Sequence, residues 1–364
     1  MDNTPASSIH FECSACGECC SSFHLPIEKE KAEILLSKAW VQSLLETWEC
    51  AIEPVTPTMS RLPLKPDQTC VFLSEEKRCL IHQHEGITLK PEECKRFPFA
   101  AIVMPPDATG DSNIAFDVSA SCKTVAESLL RHFLPIVPPE GELITPHELL
   151  FPHTISMARY NETLSQIKAV LNPDAVTGQN TPSFTRLMER LSKIRQTLQS
   201  QQLSKKKPFN SFLFNILARC WLRLPYGSYS RWSLWVGGTV QDPKLFGTVS
   251  MSVRDIERIP LDNLSEATLQ QLSGFVYSLQ SRKVLLSYGH SLQDLWVLSV
   301  ISIALTAWYA RALAFLQNRP QPEASDWSLA IRLVERYYSG HQPWFLESIR
   351  RWGRLWFWVL SLIF

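Results

Sequence analysis

FECSACGECC, from Phe11 to Cys20, is the stretch that decides how this chain reads. It holds Cys13, Cys16, Cys19 and Cys20, two CxxC steps closed by a vicinal pair. Four soft donors within eight residues are far denser than packing requires, and thiolates at this spacing suit zinc or iron. Two local conformations bring the sulfurs together. On a helix, the step of about 100° per residue puts all four within one arc of roughly 120°. In a loop, Gly17 supplies a turn that folds the backbone back on an ion. Spacing alone leaves both open.

Working outward, nine of the ten cysteines precede residue 123, and Cys220 stands alone. Cys70 opens CVFL, Cys79 opens CLIH, Cys94 sits in PEECKRFP and Cys122 follows FDVSAS, all positions at the ends of short elements. With the first four they make eight candidate metal ligands: Cys13, Cys16, Cys19, Cys20, Cys70, Cys79, Cys94 and Cys122. Eight thiolates fit two four-cysteine sites, or one four-cysteine iron-sulfur cluster beside a separate zinc; spacing does not choose among these. Lys95, Arg96 and Lys123 adjoin these cysteines and can offset thiolate charge. Cys50 and Cys220 read as packing residues. His24, His82 and His84 lie near the cysteines but read as surface or capping side chains. The opening MDNTPASSI has neither a basic start nor an apolar run, so no secretory signal is expected and the expected compartment is the cytosol. Thiols there stay reduced, which argues against a disulfide framework.

The 364 residues suggest two units, and composition changes near Cys122. We expect a Cys-rich metal-binding domain over 1–125 with short strands, then an α-helical domain over 126–364. The fold class is α+β, mostly α. In the first unit, Ile27 to Glu49 reads as one amphipathic helix with Pro26 in its first turn and Ile34, Leu35, Ala39, Leu44 and Leu45 on its apolar face. CVFL and CLIH read as a hairpin around SEEKR, PEEC as the start of a short helix, and AAIVM and NIAFDV as strands around PPDATGDSN. Helical patterns follow over 123–134, 146–171, 183–203, 209–222, 263–286, 291–317, 325–339 and 343–363. Lys205 to Lys207 read as a solvated loop. The Gly pair in SLWVGGTV lacks the context of a dinucleotide site.

With 36 basic and 35 acidic residues the net charge is +1, which gives no broad basic field, so nucleic acid is not expected as a partner. Leu295 to Ala310 is uncharged for 16 residues, short of a membrane span, and reads as a buried central helix. The terminal LWFWVLSLIF, flanked by Arg350, Arg351 and Arg354, suits either a cap on the helical core or peripheral membrane contact.

Taken in order, FECSACGECC, CVFL (Cys70 to Leu73), CLIH (Cys79 to His82), PEECKRFP (Pro91 to Pro98) and Cys122 resemble the cysteine-cluster proteins described as zinc- or iron-chelating, which include the flagellin lysine N-methylases. The step of 15 residues from Cys79 to Cys94, with Gly86 between, looks like the methylase branch. So do FVYSLQSRK and GHSLQDLWVLSVISIAL in the helical part. The resemblance covers most of the chain. It implies an iron-sulfur cluster or zinc in a methylation-related protein that acts on a protein substrate with S-adenosylmethionine as donor. Spacing by itself assigns no catalytic acid or base, and no Gly-rich loop marks a donor site. Alongside this reading stand a non-enzymatic metal-binding module that engages a protein partner, and a membrane-peripheral scaffold using the Trp-rich terminus.

Overall fold

The structure, a computed structural model, describes residues 8–21, 25–105, 114–139, 147–150, 156–172, 183–199, 211–222, 239–240, 249–261, 264–339 and 343–360. The architecture is α+β and mostly α, with the short strands concentrated in the Cys-rich part and long helices after it. The helical part is organised around Leu292–Leu316. This helix starts at a reciprocal cap: Ser291 Oγ accepts the Asp294 N–H at 3.1 Å, and Asp294 Oδ2 accepts the Ser291 N–H at 2.8 Å. It is long and apolar enough to cross a membrane, yet it is enclosed by Glu266–Gln280, Ser211–Trp221, Ala324–Val334 and Pro343–Leu360. A helix apolar on every face belongs in such a place. Two of its hydroxyls are satisfied internally: Ser299 accepts from Gln280 Nε2 at 2.9 Å, and Thr306 donates to the Ser302 carbonyl at 2.8 Å. The apolar stripe of Pro343–Leu360 also turns inward, burying Phe345, Ile349 and Leu360, while Trp352 is exposed. Residues 361–364 lie outside the described residues.

Two cores are present. The larger joins the helices to Phe11, Phe99, Ala120, Cys122 and Val125 from the Cys-rich part. The smaller is built from Ile27, Leu35, Val41, Leu62, Val71, Phe72 and Ile81. Strand pairing follows the same division. Ile9–His10 runs parallel to Ile136–Val137, and Phe99–Val103 lies between antiparallel Ile114–Val118 and parallel His147–Leu150, all beside the larger core. Pro26–Glu28 and Glu53–Pro54 flank Met59–Arg61 beside the smaller one. The cysteine loop from Cys13 to Cys20 therefore connects a strand anchored on one core to a strand anchored on the other.

Packing within the helical part is close. A Cβ placed on Gly274, inside Glu266–Gln280, would stand 1.8 Å from the Leu130 carbonyl oxygen. Alanine is better than glycine in a helix by about 1 kcal/mol. Here backbone approach decides the residue instead.

Several local expectations are corrected. The single helix over Ile27 to Glu49 resolves into strand Pro26–Glu28 and two helices, Lys29–Leu36 and Ala39–Thr47. Ser37 ends the first by donating its hydroxyl to the Ile34 carbonyl at 2.7 Å, and Lys38 is extended. The break resets the helical phase, so Leu35, Val41 and Leu45 are buried while Ile34 is 45% exposed. CLIH contributes one bridge, Leu73 to Cys79, and then becomes helix Leu80–Glu85. Within the pattern over 146–171, His147–Leu150 is a strand and Met157–Leu171 a helix. That over 325–339 ends in a π turn, Glu335–Ser339. Helix Val253–Arg258 has no counterpart in the periodicity reading. Most of PPDATGDSN, Lys205 to Lys207, His24 and all but the last two residues of SLWVGGTV lie outside the described residues.

Candidate metal centre

The loop conformation, not the helical one, is adopted by CSACGECC. Gly17 has φ 74°, in the left-handed region, and leads into a 3-10 turn at Glu18–Cys20. A Cβ there would also stand 3.2 Å from Lys77 Cβ and 3.3 Å from Leu73 Cδ2. Backbone sign and packing both select glycine. The turn is fixed to the next ligand stretch: the Cys70 N–H donates to the Cys20 carbonyl at 2.7 Å, and Ser21 bridges Thr69. Between Cys70 and Cys79 the chain doubles back, with the Leu73 N–H on the Cys70 carbonyl at 2.9 Å and the Leu80 N–H on the Phe72 carbonyl at 2.8 Å. Cys94 sits in the short helix Glu92–Arg96, which is tied to Lys29–Leu36 by Lys31 Nζ donating to Glu92 at 3.0 Å and to the Lys90 carbonyl at 3.4 Å.

These connections bring thiols from four stretches into mutual electrostatic reach. Cys19 Sγ and Cys20 Sγ are 3.9 Å apart. The Cys20 thiol donating to Cys19 lowers Cys19 to a pKa of about 7 against the opposing effect of burial, with Lys90 and Arg336 assisting. Cys20 is driven far upward by the same bond, by burial and by the charges of Cys19, Cys70 and Cys94. Burial pushes Cys70 up to about 11, reinforced by Cys79 and Cys19. Cys94 is pushed up to about 12 by burial and by Cys70, Cys79 and Cys19, with Lys90 opposing. Cys122 is raised to about 11 by burial, with Cys16 and Cys19 adding. Cys19 is thus common to two groups: Cys20, Cys70, Cys79 and Cys94 on one side, Cys16 and Cys122 on the other.

Cys13 differs. It is exposed, and its sulfur accepts the Ala15 N–H at 3.4 Å. Cys50 packs against the smaller core and Cys220 against the larger, the placement expected of packing residues. His84 is stacked on Trp40 with centroids 4.6 Å apart, and His82 is exposed.

None of the ten cysteines is in a disulfide. Among the described residues no three His, Cys, Asp or Glu side chains are closed around a point that can hold a metal ion. The donors are gathered but not converged. Their chemistry fits a thiophilic centre: Cys70 and Cys122 are buried and Cys94 half-buried, all three are unbridged thiols, and desolvation holds them protonated until a cation replaces the protons.

The opposing charge comes from Lys65 and Lys90 in the Cys-rich part and from two arginines near the far end of the chain. Arg332 contacts the Glu18 carboxylate, and Arg336 Nη2 donates to the Glu18 carbonyl at 3.1 Å. Arg332 also feels Cys16, and Cys19 feels Arg336. Lys123, expected beside the ligands, reaches Glu18 at 3.9 Å, whereas Lys95 is held by Glu92 at 2.8 Å. Behind Arg336, the π turn buries Glu335, whose Oε1 lies 2.9 Å from Arg282 Nη2 as an ion contact and accepts from Ser119 Oγ at 3.3 Å. Its Oε2 accepts from Ser339 Oγ at 2.8 Å. Ser119 stands just ahead of Cys122, so this cluster links the π turn to a candidate ligand. Sequence reading missed Arg332, Arg336 and Lys90. Two arginines four apart on a helical pattern, more than 300 residues from the motif, give no local signal.

Comparison with known families gives one match: residues 12–123 fit the model of the CxxCxxCC family, described as "Putative zinc- or iron-chelating domain". No curated protein and no solved structure matches the chain.

Proposed function

We propose that this chain is a cytosolic metal protein whose centre is held by thiolates grouped around Cys19, with Cys20, Cys70, Cys79 and Cys94 as the principal set and an iron-sulfur cluster favoured over zinc. One observation carries the reading: thiols from four separate stretches influence one another around Cys19 without any disulfide. A four-thiolate set supplies either one-electron chemistry when it holds a cluster or fixed local structure when it holds zinc. The chain's own part is to gather the sulfurs, bury them and provide cations beside them.

The raised thiols make the binding proton-linked. Cys70 and Cys94, at about 11 and about 12, are protonated at neutral pH and release their protons as metal enters. Affinity for zinc, measured by chelator competition on the reduced protein, is therefore expected to rise steeply from about pH 6 to about pH 8, with protons released into weak buffer. A flat profile without proton release contradicts thiolate ligation.

The resemblance of the motif order to flagellin lysine N-methylases supports a further reading, protein lysine N-methylation with S-adenosylmethionine. A lysine amine must lose its proton and be aligned before it attacks a methyl group, and a site between two packed parts of a chain provides burial and alignment. Labelled donor incubated with the reconstituted protein and cytosolic or surface proteins of its own cell is expected to label lysine. The absence both of transfer and of calorimetric donor binding leaves the metal-binding module that engages a protein partner.

A further inference from the structure

The two arginines on Glu18 are placed for more than an ion pair. Arg332 lies near the end of Ala324–Val334, and Arg336 lies one helical turn on, within the π turn. Both belong to elements whose positions are set elsewhere: Ala324–Val334 against the central helix, and the π turn by buried Glu335 with Arg282. Rigid backing of this kind presents a charge at a fixed place, which is what a positioning residue needs. Arg332 is largely buried, its side chain 11% exposed; Nη1 meets the Glu18 carboxylate, but Nε has no hydrogen-bond acceptor among the described residues. Buried guanidinium N–H groups without acceptors are costly. Both arginines thus contact Glu18, the residue that stands between two sulfurs of the same loop. Cys16 and Cys19 flank the turn made by Gly17 and Glu18, within electrostatic reach of Arg332 and Arg336 respectively.

We infer that Arg332 and Arg336 are positioning residues of the metal centre: they offset the charge of the Cys16 and Cys19 thiolates, so the helical region and not the cysteine-rich segment alone sets how tightly the metal is held. The inference rests on the thiolate centre proposed above. A centre with several thiolates carries excess negative charge, and cations presented at its edge lower the cost of assembling it. Glu18 competes with the sulfurs for the same guanidinium groups. This gives the inference a sign that a plain structural clamp does not share. If the arginines serve only to fasten the loop through the Glu18 side chain, removing that carboxylate should do as much harm as removing Arg332. If they offset thiolate charge, removing the carboxylate frees Arg332 for sulfur and takes a negative charge away from the site.

The test is zinc affinity of the full-length reduced protein by chelator competition, for wild type, Arg332→Gln, Arg336→Gln, Arg332→Lys and Glu18→Gln, with Arg258→Gln as a surface control and circular dichroism as a check on folding. Arg332→Gln and Arg336→Gln are each expected to weaken zinc binding by about 10- to 100-fold, the usual cost of losing an outer-shell partner. Arg332→Lys should recover most of the loss, and Glu18→Gln should bind at least as tightly as wild type. Wild-type affinity in both glutamine variants overturns the inference and leaves the metal centre standing, as does a Glu18→Gln variant as weak as Arg332→Gln. A wild-type chain that takes up no zinc and no iron overturns the centre itself, and the inference with it.

Discussion

Cys94→Ser is expected to strip the protein of metal and loosen the smaller core, while Cys220→Ser keeps both. Cys94 is half-buried beside the thiols that influence it most, Cys70, Cys79 and Cys19. A serine hydroxyl does not replace a thiolate as a soft ligand. Free energy of metal binding at such sites is also free energy of folding, so loss of the metal should appear as a lower melting temperature and faster proteolysis between the two cores. The smaller core makes this sensitive. It rests on few large side chains, chiefly Val71, Phe72, Ile81, Leu35 and Val41, each worth roughly 1.5–3 kcal/mol when fully buried. Cys220, by contrast, packs on the larger core from the helix Ser211–Trp221 and is remote in sequence from every cysteine of the cluster. Metal content of the two purified variants checks the partition. If Cys220→Ser loses metal as fully as Cys94→Ser, the assignment of the cysteines is wrong.

Glu335→Ala is expected to destabilise the whole chain by about 3–5 kcal/mol, the usual consequence of leaving one member of a buried ion pair behind. Glu335 is 1% exposed and Arg282 6%. Without the carboxylate, Arg282 keeps the Ser339 carbonyl, at 3.1 Å, but loses its counter-charge, the Ser339 hydroxyl loses its acceptor, and the Ser119 hydroxyl is left with Ser121 at 2.8 Å. Urea unfolding followed by tryptophan fluorescence should show the midpoint falling accordingly. Glu335→Gln, which keeps an oxygen for the serines, should lose less. Because Glu335 adjoins Arg336, the alanine variant should also bind metal more weakly, and a shift below about 1 kcal/mol would show that the π turn is held by other contacts.

What the sequence made legible follows from how local each signal is. The cysteine motif names its own ligand types, and Gly17 announces the turn that the loop requires. The central helix is legible because sixteen uncharged residues in sequence have only one comfortable place in a chain with so many other helices around them. The break at Ser37 is not legible, since a hydroxyl on the Ile34 carbonyl competes with a helical pattern that otherwise continues. Strand His147–Leu150 is hidden for another reason: its pairing partner, Phe99–Val103, lies far upstream, and β structure depends on that partner. The same distance conceals Arg332 and Arg336. Their role exists only after the helical region has folded against the cysteine loop, so no window along the chain contains it.

The central claim is that the cysteines grouped around Cys19 hold a metal. Anaerobic purification followed by elemental analysis and a visible absorption spectrum tests it most directly, because iron-sulfur clusters are brown and zinc is colourless. The account predicts at least one equivalent of metal per chain, with broad visible absorption if the metal is iron, and its loss from Cys94→Ser. Less than about half an equivalent of iron plus zinc, under conditions that preserve clusters in other proteins, would contradict it.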